Sequence, residues 1–139
     1  MKPVVQLERT GCGIASVAAL AGVTYGDAKR AAHRLGIFAK DRRLWSETHH
    51  VRRLLRRYGL RASAGETPFR SWSALPDRAL LAIKWHRVGD KAFWHWVVFV
   101  RNGGRAYVLD SKQRLKRHVR TDFGRMHPKW FIPVRSASS

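Results

Sequence analysis

The apolar residues of this chain change period halfway along, and that change limits the folds open to it. In the first half they recur at helical spacing. Ala28, Ala31, Ala32 and Leu35 fall on one helix face, as do Val51, Leu54, Leu55 and Tyr58, because 3.6 residues per turn bring such positions together. In the second half they come as short runs of β-branched and aromatic residues: ALLAIKW (79–85), HWVVFV (95–100), RAYVLD (105–110) and WFIPV (130–134). Pro, Gly, Asn and Asp bound these runs, as they bound strands. Helices first and an antiparallel sheet second predict an α+β fold.

Local signals place the ends. The first helix begins at or beside Cys12 and runs through IASVAALA to Gly22. Thr24 with Asp27 three residues on reads as the opening of a second, which Gly36 ends. Ser46 or Thr48 caps a third, running through VRRLLRRY to Gly59. Leu60 to Ala64 adds an edge strand, and Pro133, lacking an N–H, belongs at an edge or end of its strand. The 139 residues suit one domain over 1–135, with 136–139 as a frayed tail.

The N-terminal MKPVVQLERT meets Glu8 and Arg9 before any apolar core forms, so it does not read as a signal peptide. The longest apolar stretch, 11–23, is too short and too rich in Gly, Ala and Ser to span a bilayer. The expectation is a cytoplasmic protein with no membrane insertion, although signal-independent export leaves no mark in a sequence. Twenty-eight Lys and Arg against nine Asp and Glu give a net charge of +19. Such a field attracts nucleic acid weakly and without sequence preference, and equally steers an acidic peptide or protein substrate. No zinc-finger spacing, RRM-like aromatic motif or helix-turn-helix accompanies it. The basic run KQRLKRHVR (112–120) reads as a solvated edge or helix, with contact to an anion as the lesser alternative.

Cys12 is the single cysteine, which excludes an intrachain disulfide and a Cys-based zinc cluster. His33, His49, His50, His86, His118 and His127 show no ligand spacing, so neither metal nor cofactor is expected. The cysteine sits between two glycines at a predicted helix start, where unsatisfied N–H groups favour a thiolate. In FWHWVVFVRNGGRAYVLDS, Asn102-Gly103 marks a tight hairpin. A two-residue loop there pairs Arg101 with Gly104 and sets His95 opposite Asp110. A four-residue loop pairing Val100 with Arg105 does the same, whereas a three-residue loop breaks the match. Directly opposed residues have Cβ atoms about 4.5–5.5 Å apart, close enough for a carboxylate to hold an imidazole. Trp94 and Trp96 then face the core on the other side of the strand. A histidine oriented in this way can take a proton from a thiol. The N–H of Cys12 and the side-chain amide of Gln6 are candidate donors to the oxyanion formed when the thiolate attacks a carbonyl.

These residues resemble the papain-like cysteine peptidases, and within them the C39 and C39-like, bacteriocin-processing-type family. The resemblance rests on QLERTGCGIASVAALAGVTYGDA and HWVVFVRNGGRAYVLDS, with LPDRALLAIKW similar to the strand before the histidine. It implies a papain-like α+β fold, with N-terminal helices packed on an antiparallel sheet. It implies that Cys12 is nucleophile, His95 general base, Asp110 its orienter and Gln6 the oxyanion donor. Gly11 stands where an acidic residue often precedes the cysteine, and Ser111 where a proline often follows the aspartate. The function implied is a cysteine peptidase that cleaves an amide in a peptide or protein through a thioester. The same three groups also serve an amidase, deamidase or acyltransferase, and an inactive basic binding module is the rival from another class.

Overall fold

The structure, a computed structural model, describes residues 1–136. Three helices, α1 (Cys12–Ala21), α2 (Tyr25–Arg34) and α3 (His49–Arg57), precede most of the sheet. Seven strands follow: β1 (Leu60–Ala62), β2 (Thr67–Pro68), β3 (Arg78–Val88), β4 (Lys91–Asn102), β5 (Arg105–Leu109), β6 (Val119–Arg120) and β7 (Trp130–Ser136). They form an antiparallel sheet ordered β1-β7-β3-β4-β5-β6, with β2 pairing β7 beside β1. The fold is α+β, as the change of period predicts. Ser136 pairs with Leu60 on β1, while the rest of the expected tail, 137–139, lies outside the described residues.

The expected signals act locally at α1 and α2, whereas Thr48 precedes α3 without a side-chain capping bond. Gly22 takes a left-handed φ of 72° to end α1, and its N–H reaches back to the α1 carbonyls, a geometry that costs glycine least. The Thr24 hydroxyl accepts from the Asp27 N–H at 3.1 Å to start α2. In α3 the stripe of Val51, Leu54 and Leu55 is fully buried while Arg56 and Arg57 stay in water. Each such apolar side chain contributes about 1.5–3 kcal/mol on leaving water, which is why so arginine-rich a helix docks at all.

Both faces of the sheet are covered, which explains the near-continuous apolar runs in β3 and β4. On one face Leu80, Ala82, Trp96, Val98 and Ile132 pack under the helices. On the other, Leu81, Ile83, Val97, Phe99 and Phe131 pack beneath loop residues, with the rings of Trp72 and Phe123 in tilted contact. Trp94 and Trp96 lie in the helix-side core against Trp130, as their alternation with His95 predicts. Pro133, expected at an edge or end, instead lies within β7, an interior strand. It falls between the residues of β7 that pair with β2 and those that pair with β1, so its missing N–H interrupts no ladder on that side.

Candidate active site

Three elements meet at one end of the β4–β5 hairpin. The loop 6–11 leads into α1 and is tied down on two sides. Its Glu8 carboxylate accepts from the Tyr25 hydroxyl at 2.5 Å and pairs with Lys29 at 2.7 Å. Its Gln6 N–H donates to the Ser111 carbonyl at 3.0 Å, just beyond β5. Gly11 is sterically required there, because a Cβ would overlap the Tyr25 hydroxyl. No side chain caps α1, so its first N–H groups have no side-chain acceptor where Cys12 begins the helix.

The hairpin differs from expectation by two residues. Asn102 pairs with Arg105 and Val98 with Leu109, so the two-residue loop is Gly103-Gly104 rather than Asn102-Gly103. Only Gly103 has a positive φ, 61°, as in a II′ hairpin, whose first central position favours glycine. Asp110 is therefore diagonal to His95 rather than directly opposite. A slip of two keeps every side chain on its own face, and the contact survives: His95 Nε2 donates to Asp110 Oδ1 at 2.7 Å. The ring's other nitrogen is left for the thiol of Cys12, which acts on the charge of the ring. Thiol, imidazole and carboxylate thus lie within one electrostatic neighbourhood.

Asp110 is 1% exposed and saturated with donors. The Lys112 N–H reaches Oδ1 at 3.1 Å, and Arg120 Nη1 reaches Oδ2 at 2.9 Å. Burial pushes its carboxyl up, yet His95, the Lys112 N–H and Arg120 outweigh it and bring it to about 2. His95 moves the other way. Burial disfavours its charged ring, but the bond to Asp110 and the influence of Cys12 prevail and raise it to about 9. An imidazolium beside a thiol is the partner that a thiolate nucleophile needs.

Gln6 is buried in the loop with its amide oriented by the network around it. Ser111 Oγ donates to Oε1 at 2.7 Å, and Nε2 donates to the carbonyls of Glu8 and Arg9 at 2.9 and 3.0 Å. The reverse orientation would aim an oxygen at two carbonyls. Ser111 thus supplies a hydroxyl that a proline at this position would lack. Both Nε2 hydrogens are engaged within the loop, so donation to an oxyanion requires one of them to change partner. Gln6 and His95 line a cleft of about 670 Å³ together with Trp94, Lys84 and Lys112. A second cavity of about 750 Å³ shares Arg9, Arg42 and Trp45 with it and adjoins it. Cys12 itself is fully buried.

Sequence reasoning missed Arg120, which lies in the basic run read as solvated. It bridges Asp110 to Asp122, meeting the latter at 3.0 and 2.7 Å. Four other Lys and Arg residues share the run 112–120 with it, and only the pairing of β6 with β5 singles it out.

No family model matches the chain, and no curated protein matches it in sequence. Among solved structures it is similar to a double glycine motif protease from an AMS/PCAT transporter, crystallised in complex with the leader peptide. The two are 19% identical with a TM-score of 0.61, over 97% of this chain and 91% of that one. The chain therefore shares the fold of that protease.

Proposed function

We propose that this protein is a cysteine peptidase acting on a peptide or protein, with Cys12, His95, Asp110 and Gln6 as its working groups. The observation that carries it is His95 bonded to a buried carboxylate, in a position where the single thiol of the chain acts on its charge. Likeness to a peptidase solved with a peptide supports the choice of substrate class.

In this mechanism the thiol proton resides on His95, whose charged ring is held by Asp110. The thiolate attacks the carbonyl carbon of a bound amide. The resulting oxyanion is met by the N–H of Cys12 and by a Gln6 N–H released from a loop carbonyl, each such donor lowering the barrier by about 2.7–4 kcal/mol. His95 then gives its proton to the departing amine, leaving a thioester on Cys12. A water deprotonated by His95 cleaves the thioester and returns the thiol. Because Cys12 has no exposed surface, the residues that cover its sulfur must give way as the substrate enters.

The test is intact-mass spectrometry after exposure to a peptidyl electrophile that mimics a scissile amide. Native protein is expected to gain one adduct at Cys12, and both Cys12→Ala and His95→Ala to gain none. Labelling of His95→Ala at the native rate would reject the mechanism.

A further inference from the structure

The cleft beside His95 is lined by Arg9, Arg42, Lys84, Lys112 and Arg114 and by no acidic side chain. None of the five forms an ion pair among the described residues, whereas seven of the nine acidic side chains are paired elsewhere. Two of these cations are built in next to the reacting groups. Lys84 follows Ile83, the Cα partner of His95 on β3. Lys112 gives its backbone N–H to the carboxylate that holds His95.

Lys84 is also held at a cost. β3 bulges between Ile83 and His86, so that two of its residues oppose one on β4. Within the bulge Lys84 takes a φ of +55°, a left-handed conformation that an L side chain adopts against steric preference. The His86 ring bonds the Lys84 carbonyl at 2.9 Å and stacks on Phe93, which fastens the turn. Lys84 and Lys112 line the same cleft, and the neighbouring Lys112, and then burial, hold Lys84 below the usual lysine range although Asp110 acts the other way. Strained backbone and like charges in one cleft cluster where a ligand repays them.

We propose that Lys84 and Lys112 form a carboxylate-binding subsite of the cleft, so that the substrate bears an anionic carboxylate close to its scissile bond. This rests on the peptidase reading of the same site and adds the substrate's chemistry to it. The carboxylate comes from an aspartate or glutamate side chain or from a free C-terminus, and one ammonium takes each oxygen.

The test measures binding to the Cys12→Ala protein, which needs no turnover, by isothermal titration at physiological salt. Two peptide pairs are used: one differs in glutamate against glutamine beside the scissile position, the other in a free acid against an amide at the C-terminus. The carboxylate member of at least one pair is expected to bind about tenfold tighter, and which pair responds identifies the source. Adding Lys84→Gln/Lys112→Gln should bring that ratio close to one. Arg56→Gln/Arg57→Gln, which removes the same charge from an exposed helix end, should leave it unchanged. Equal affinities within both pairs, or a ratio that falls as far with the arginine variant, would overturn the subsite. So would a short duplex DNA that binds tighter than either acid and loses its affinity with the lysines. A carboxylate preference in a protein whose Cys12 never reacts with peptidyl electrophiles would keep the subsite and reject the peptidase.

Discussion

Asp110→Asn keeps the shape of the side chain and removes its charge, and the structure says what must follow. Three donors converge on this carboxylate: His95 Nε2 and the Lys112 N–H on one oxygen, Arg120 on the other. A carboxamide offers one acceptor and one donor end, so either orientation sets its NH₂ group against a donor. If the NH₂ faces His95, the ring must accept at Nε2 and carry its proton on Nδ1, the tautomer that cannot receive the thiol proton. If it faces Arg120, it opposes a guanidinium. The charge matters as well. With the carboxylate in place His95 is raised to about 9 against the opposing effect of burial, so without it the ring falls back toward its ordinary 6.5. A fall of about two pH units loses roughly 2.7 kcal/mol of preference for the charged form, or about a hundredfold at alkaline pH in a rate that needs the imidazolium. The thiol supplies part of that elevation, and the wrong tautomer adds to the loss. The assay is kcat/KM for a peptidyl amide against pH, with a thermal melt to check folding, since Arg120 keeps both bonds to Asp122. Native activity is expected to fall as pH rises through about 9, and that limb should move down by about two pH units in the variant. A variant with the native rate and the native alkaline limb would refute the role of Asp110.

Two further outcomes follow from groups the sequence did not advertise. Arg120→Gln removes the donor from Asp110 Oδ2 and loosens the carboxylate that aims His95; kcat/KM should fall about tenfold through kcat, with KM little changed, and equal effects on both would mark Arg120 as a substrate contact instead. His50 is buried with its Nε2 unpartnered; burial first, then His49, lowers it from 6.5 to about 3. The unfolded chain therefore takes up this proton first. Its effect on stability is nil above pH 6.5 and grows by about 1.4 kcal/mol per pH unit as pH falls toward 3. Urea midpoints at pH 7 and pH 4.5 should converge in His50→Leu, and an unchanged gap would refute the assignment.

The helices were legible because their signals are local: a threonine three residues before Asp27, a glycine past each end, an apolar stripe at 3.6 spacing. The contact of His95 with Asp110 was legible for a different reason. Strand faces repeat every two residues, so moving the turn from Asn102-Gly103 to Gly103-Gly104 changed partners without changing faces. What was not legible is non-local. Arg120 is one cation among many until β6 sets it against β5. The left-handed Lys84 follows from a bulge that no glycine or proline announces. Pro133 is tolerated inside the sheet only because two separate strands share β7 and leave a gap between them.

The carboxylate that aims His95 leans on one of the shortest pieces of the sheet. Arg120 reaches it from β6, a strand of two residues at the outer edge, joined to the rest through β5 and through bonds between His118 and the Asp110 backbone. Short edge segments open at far less free energy than the whole fold. Each time β6 peels away, Asp110 loses its guanidinium, while the helix-side core beneath Trp96 and Val98 stays closed. Working order and folded state are thus separable in this protein: warming should silence it while it is still folded, and cooling should restore it without refolding.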